Sequence, residues 1–416
     1  MGQKNTNLHA AKTAKNDEFY TRLVDIENEL KHYKDFFKGK TVYCNCDDPK
    51  ESNFFKFFSL NFETYGLKKL ITTGYKENGH GVVYIYEGDR NGNRMVDDSE
   101  IQVTELQGDG DFRSEECIEF LKEADVVVTN PPFSMFRAYI KQLMDYGKKF
   151  LIIGNPNAIT YKEIFPYIKN NEMWLGLKST GTDMLFNVSE DFAAQLVGTK
   201  KEGSGYRIVN GEILGRASAI WFTNIDNKKR NQPLDLYKRY KPEEIQVYDN
   251  YCAINIDKVA DIPVDEELEF YLKDEDIPKW KETYGNDLEI VEHGKVRVKN
   301  PVLGVPITVL DKYCPKQFEI VSFRKGEDGK DLVFTRERER QFNRTFVSLY
   351  DVDSWDNKKR RRKNQWENHL RENNNKENQI EPIDYFFPII WQMSGNQRAT
   401  VEKKLMYARM FVRKLS

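Results

Sequence analysis

The chain has 416 residues, enough for two domains of ordinary size. Lys and Arg number 64 against 66 Asp and Glu, and the resulting net charge of −2 excludes a uniformly basic coat while leaving room for a local basic face. An aromatic content of 13% excludes a disordered chain, and five scattered cysteines exclude a disulfide framework and point to a reducing compartment.

Residues 1–16 are polar and expected to be flexible. They lack the apolar stretch of a signal peptide, and no run of about 18 apolar residues predicts a membrane-spanning helix. Leu23, Ile26, Leu30 and Tyr33 recur at spacings of three and four and predict a helix. Thr41 to Cys46 reads as a strand halted by Asp47-Asp48-Pro49. Pro49 suits the first turn of a helix that Asn53 to Phe58 continues. Lys69 to Thr73, Val82 to Tyr86 and Ile101 to Leu106 read as strands, the last two around a Gly/Asn/Asp turn at Gly88 to Asn93. Ser114 is a candidate cap for a helix to Lys122. Asp125 to Thr129 is an apolar strand of the buried parallel type, followed by a helix (Phe136 to Tyr146) and a strand (Phe150 to Gly154).

This alternation predicts an α/β sheet with helices on both faces across residues 17–223. Asn224 to Arg230 reads as a polar linker. Residues 224–416, with short strands broken by prolines, read as a second, α+β region. Within it, residues 356–379 form a biased tract. Its basic run, Lys358, Lys359, Arg360, Arg361, Arg362 and Lys363, lies between Trp355 and Trp366 and suits the tracking of phosphates.

The sharpest chemical signal is Asn130-Pro131-Pro132-Phe133, directly after the apolar strand. Ligands of open α/β sheets bind at the carboxyl ends of strands, and this tetrapeptide leaves one. Each proline fixes its own φ, lacks an N–H and biases the preceding residue away from the helical region. The peptide is therefore stiff and extended. It presents carbonyls and the Asn130 amide oxygen as acceptors. A planar amino group such as that of adenine can donate both hydrogens to Asn130 and the Pro131 carbonyl, and Phe133 can stack on the ring. Cys44-x-Cys46 has the wrong spacing for zinc and sits in an apolar strand. The histidines include no paired ligand spacing, so no metal site is expected. A P-loop and a Pro-Cys dipeptide are absent, which argues against a nucleotide triphosphatase and against thiol attack on cytosine.

Asn-Pro-Pro-Phe in this place is similar to the catalytic motif of amino-group methyltransferases that use S-adenosylmethionine. The wider chain resembles the EcoRI-type adenine-specific DNA methyltransferases. The resemblance rests on Lys15-Asn16-Asp17-Glu18-Phe19-Tyr20-Thr21, Asn45 to Pro49 with Ser52-Asn53-Phe54, Asp109-Gly110-Asp111-Phe112 and Asn130 to Ser134. It continues more thinly through Tyr248 to Tyr251, Gly304 to Thr308 with Leu310-Asp311-Lys312-Tyr313, and Tyr407-Ala408-Arg409. It implies a Rossmann-like methyltransferase domain at 17–223 and a DNA-recognition region at 224–416. It further implies that Asp47, Asp48 and Pro49 stand where a glycine-rich turn usually meets the methionine part of the cofactor. On the same basis Asp111 takes the cofactor's adenine amine, with Asp109 its rival, Phe112 packs on that ring, and Tyr20-Thr21 folds over the cofactor. Duplex DNA is the implied partner, beside a cognate restriction endonuclease system in the same host. A monomer in the cytoplasm of a bacterium, or encoded by a phage, is expected. The competing expectations are methylation of RNA adenine or of a protein Gln amide, and a non-catalytic nucleic-acid-binding protein.

Overall fold

A computed structural model describes residues 20–46, 48–76, 78–248, 251–324, 399–401, 404–406 and 409–415. The expectations for residues 1–16, for Asp47 and for the tract 356–379 with Lys358 to Lys363 lie outside them. The chain divides into two units, Met1–Gln232 with Leu310–Lys312, and Pro233–Val309 with Tyr313–Ser416.

The first unit contains β1 (Tyr20–Thr21), β2 (Thr41–Cys44), β3 (Lys69–Gly74), β4 (Val82–Tyr86), β5 (Ile101–Glu105), β6 (Val126–Thr129), β7 (Lys149–Gly154), β8 (Trp174–Leu175), β9 (Met184–Asn187), β10 (Tyr206–Val209), β11 (Glu212–Ala217) and β12 (Ile220–Thr223). Eight of these form one mixed sheet in the order β5-β4-β3-β2-β6-β7-β12-β8. The strands β3, β2, β6 and β7 are mutually parallel, whereas β4 and β12 run against their neighbours. Every residue of β2, β6 and β12 is buried, which is why these strands read as continuous apolar runs rather than alternating ones. A smaller antiparallel sheet, β1-β9-β11-β10, completes the unit.

Much of the aromatic content serves the core. Phe54, Phe57 and Phe58 bury one face of the helix Asn53–Leu60, at the i, i+3, i+4 spacing of a core-facing stripe. Phe57 meets Tyr65 at 5.4 Å between ring centroids, and Phe37 meets Phe58 at 5.3 Å. This helix starts at Asn53 rather than at Pro49. The Ser52 hydroxyl takes the cap by accepting from Phe54 N at 3.2 Å, while Pro49 lies in the turn before it. Ser114 caps the helix Glu115–Glu123 in the same way. The stretch 224–230 is not a free linker. The Asn224 amide accepts from Phe150 N (2.9 Å) and donates to Lys148 O (2.9 Å), so it extends the edge of the sheet, and Ile225 and Asn227 are buried.

The second unit carries β13 (Ile254–Asn255), β14 (Glu267–Tyr271), β15 (Leu288–Glu292), β16 (Lys295–Lys299), β17 (Leu303–Pro306), β18 (Phe318–Arg324), β19 (Ala399–Val401), β20 (Lys404–Met406) and β21 (Arg409–Lys414). They form sheets in the orders β13-β17-β21-β18, β14-β16-β15 and β19-β20. Trp280 and Tyr284 of the helix Ile277–Tyr284 are buried, and Trp280 meets Phe270 of β14 at 5.2 Å.

Candidate active site

Because β2, β3, β6 and β7 are parallel, the chain leaves all four at one edge of the sheet. Both β5 and β8 point the same way, each being antiparallel to an antiparallel neighbour. That carboxyl edge therefore gathers the turn after β2, the loops after β3 and β5, Asn130 to Phe133 after β6, and the loops after β7 and β8. It is where an open α/β sheet binds ligands.

The turn after β2 is built around Asn45, 4% exposed. The Asn45 backbone carbonyl accepts a hydrogen bond from the Thr129 hydroxyl, and its side-chain oxygen accepts one from the Tyr139 hydroxyl. Burial pushes the Tyr139 phenol well above its ordinary pKa, so it stays protonated as the donor. One amide thus ties the turn after β2 to the residue immediately before Asn130. In the sequence Asn45 stands only within the motif Asn45 to Pro49, with no role of its own; its signal is a polar side chain at the end of four buried strand residues. Cys46, expected in the strand core, instead turns the chain at φ 76°, a left-handed conformation that non-glycine residues seldom adopt, and is half-buried. It makes the sharp exit that a glycine usually makes.

Asp48 is exposed, with its carboxylate accepting from Lys50 N at 2.9 Å. It lies well before the helix at Asn53, so it does not serve as that helix's N-terminal acid. Thr21 pairs with Phe186 of β9, and its carbonyl accepts from the Asn53 amide at 2.8 Å, which joins β1 to the helix after the turn. The Thr21 hydroxyl is buried and has no hydrogen-bond partner among the described residues.

After β5, Asp109 Oδ1 accepts from Asp111 N at 2.9 Å, and the Asp109 carbonyl accepts from Lys76 N at 2.8 Å. Gly110, at φ 82°, lets this loop close onto β3; a Cβ there would lie 2.2 Å from the Gly74 carbonyl oxygen. Arg113 grips Asp111 through Nε (2.8 Å) and a second guanidinium nitrogen (2.6 Å), which lowers the Asp111 carboxyl below its usual range. Phe112 is buried and packs edge-on against Tyr139 at 4.9 Å. The Asp111-Phe112 pair and the Asn45 turn therefore converge on the same tyrosine.

Asn130 follows β6 with its amide oxygen buried; Pro131 is buried and Pro132 exposed. Pro132 is extended at φ −54°, ψ 122°. Phe133 opens the short turn Phe133–Met135, is half-buried, and rests one side against the main hydrophobic cluster. The structure thus brings Thr21, Asp48, Pro49, Asp111, Phe112 and Asn130 to Phe133 to a shared edge or to elements bonded to it, with Tyr20 beside Thr21 in β1. Among the described residues no group of three or more His, Cys, Asp or Glu could hold a metal ion, and no helix is long and apolar enough to cross a membrane.

The adenine-specific methyltransferase EcoRI family model matches residues 7–270 and 266–414. The chain is 44% identical over 347 residues to the Type II methyltransferase M.EcoRI of Escherichia coli, covering 80% of this chain and 94% of that one. It is 36% identical to the Type II methyltransferase M.MgeORF184P of Mycoplasma genitalium, covering 76% and 85%, and 35% identical to M.MpnI of Mycoplasma pneumoniae, covering 76% and 84%. No solved structure matches the chain.

Proposed function

The chain belongs to the EcoRI adenine-specific methyltransferase family, and on that premise we propose that it transfers the methyl group of S-adenosylmethionine to the exocyclic amine of an adenine in duplex DNA. The observation that carries the reading is the junction of two loops. Asn45 bonds to both Thr129 and Tyr139, so the turn that faces the cofactor and the loop that faces the target amine are held as one piece.

The eight-stranded sheet is the Rossmann-like catalytic core in this reading, and the second unit reads the DNA sequence. The residues at the edge fit the cofactor. Thr21 offers a buried hydroxyl without a partner among the described residues, Asp48 an exposed carboxylate for the ammonium head, and Phe112 with Asp111 or Asp109 the place for the adenine. Asp111 already serves Arg113, but a carboxylate has about four lone-pair sites and retains capacity for an amine donor. When bound, the cofactor supplies an electrophilic methyl carbon. Asn130 and the Pro131 carbonyl accept the two hydrogens of the target amine and turn its lone pair outward. Pro131 and Pro132 keep those acceptors stiff, so little reorganises during transfer. The target amine lies inside the duplex, so the base must leave the stack at a cost of a few kcal/mol, and Phe133 holds it by stacking. Lys358 to Lys363 would follow the phosphates. A cytoplasmic monomer with a companion endonuclease of the same specificity completes the reading.

The test is incubation with methyl-labelled cofactor and separate DNA, RNA and protein substrates. Label in DNA, recovered as N6-methyladenine, is the expected outcome. Label in RNA or in a glutamine amide alone would replace this substrate assignment.

A further inference from the structure

At the carboxyl edge, the loop 176–183 follows β8, three strands along the sheet from β6. At about 4.8 Å per strand that is roughly 14 Å from the Asn130 exit. It stands on the opposite side of Asn130 from the turn after β2.

Two carboxylates hold this loop. Glu29, 3% exposed, accepts from Leu177 N (2.6 Å), Lys178 N (3.1 Å) and the Tyr33 hydroxyl (3.2 Å). Asp311 accepts from Thr180 N (2.9 Å), the Thr180 hydroxyl (2.8 Å) and the Ser179 hydroxyl (3.0 Å). Lys229 Nζ donates to the Leu177 carbonyl at 3.2 Å. In front, Ser179, Gly181 and Thr182 remain exposed. A surface loop of Gly, Ser and Thr is ordinarily among the more mobile parts of a fold. Here it is fixed at its base by a buried carboxylate and at its tip by another that lies 131 residues away in sequence from Thr180. Asp311 belongs to Leu310–Lys312, which forms part of the first unit although the chain before and after it belongs to the second.

We propose that Asp311 is a positioning residue for methyl transfer: it fixes Ser179 to Thr182 at the carboxyl edge as a wall for the DNA strand that carries the target adenine. The inference rests on the DNA-methyltransferase reading above. A loop left to wander by an ångström would misplace the target base relative to Asn130, and displacements of that size cost roughly 10²-fold in rate. Asp48, Asp111 and Phe112, offered to the cofactor, leave the sheet on the other side of Asn130, so cofactor affinity is expected to change little.

The experiment uses the full chain, unmethylated genomic DNA and methyl-labelled S-adenosylmethionine. Asp311→Ala is expected to lower kcat/KM for DNA roughly 10²-fold, with the calorimetric Kd for the cofactor unchanged. Asp311→Asn keeps an oxygen acceptor for Thr180 N and should recover most of the loss. Thr180→Ala, a change on a partly exposed loop, should lower kcat/KM for DNA several-fold without disturbing the fold. Wild-type kcat/KM for DNA in Asp311→Ala overturns the proposal, as does parallel loss of cofactor affinity and DNA activity in both Asp311 variants. If Asp311→Ala does not fold, wild-type kcat/KM in Thr180→Ala overturns it. A wild-type chain that labels no DNA defeats the functional reading instead, and does so before any variant is compared.

Discussion

The eight-stranded sheet of the first unit and the three-stranded sheet β14-β16-β15 of the second bury their strands in opposite ways. In β2 and β6 every residue is buried, so both faces are covered. In β16, Val296 and Val298 are fully buried while Lys295, Arg297 and Lys299 alternate with them. The basic face of β16 invites a reading as a DNA contact. Its neighbours argue otherwise: Lys295 and Arg297 both pair with Glu269, at 3.0 and 2.7 Å, and Arg297 also pairs with Glu289 at 2.9 Å. Cations on a strand are available to phosphate only where the facing strands leave them unpaired.

Substitutions can break this contrast. The largest effect is expected from Val127→Asp in β6. It places an unpaired charge at a site with 0% exposure and should cost about 3–5 kcal/mol, lowering the thermal midpoint by many degrees. A midpoint near wild type would mean that β6 is not covered on both faces.

Asn130→Ala tests what this buried frame is for. Under single-turnover conditions, with DNA and cofactor saturating, transfer should fall by roughly 10²–10³-fold or more while both still bind. Near-normal transfer would remove Asn130 from the chemistry.

Close packing allows a like-for-like comparison of the units. A Cβ on Gly154, at the end of β7, would lie 2.4 Å from the Phe136 ring, and one on Gly304, in β17, 2.7 Å from the Tyr248 ring. Gly154→Ala and Gly304→Ala should each destabilise by about 1–3 kcal/mol in denaturant unfolding. A silent Gly304→Ala would show that the second unit is the more yielding of the two.

A smaller effect is expected at Glu29. Burial, outweighing its hydrogen bonds, holds its carboxyl above the usual carboxylate range. In that window the folded protein binds more protons than the unfolded chain, so this group's contribution to stability is lost as pH rises through the raised value. Glu29→Gln should remove that part of the slope, read as denaturant midpoints across a pH series. An unchanged slope would mean that Glu29 titrates normally.

The smallest is Arg297→Ala in β16, whose ion pairs lie at the surface. The midpoint should stay within replicate scatter. A clear drop would make the charge ladder structural.

What the sequence disclosed and what it hid divide along a physical line. The strands β3, β4 and β6 were legible from their own apolar residues, and Asn130 to Phe133 from a stiff peptide placed at a strand end. The helix starts at Asn53 because the Ser52 hydroxyl caps it there, and Pro49 stays in the turn before it. The left-handed turn at Cys46 carries no glycine to announce it. The pairing of Thr21 with β9, the bonds of Asn45 and the grip of Asp311 join residues distant in the chain, and no local period records them.

The bond between Asn45 and Thr129 spans 84 residues, as does that between Thr41 N and the Asp125 carboxylate. Parallel strands so far apart pair only after a long loop has closed, which is slow compared with forming a helix or a hairpin. The turn after β2 and the Asn-Pro-Pro-Phe loop therefore have no fixed relation until β6 docks beside β2. During synthesis, a nascent chain can carry every residue of the turn after β2 long before it carries a partner for it. Enzymatic competence is therefore expected late in this chain's folding, with recovery of methyl transfer after denaturation lagging behind recovery of helical circular dichroism.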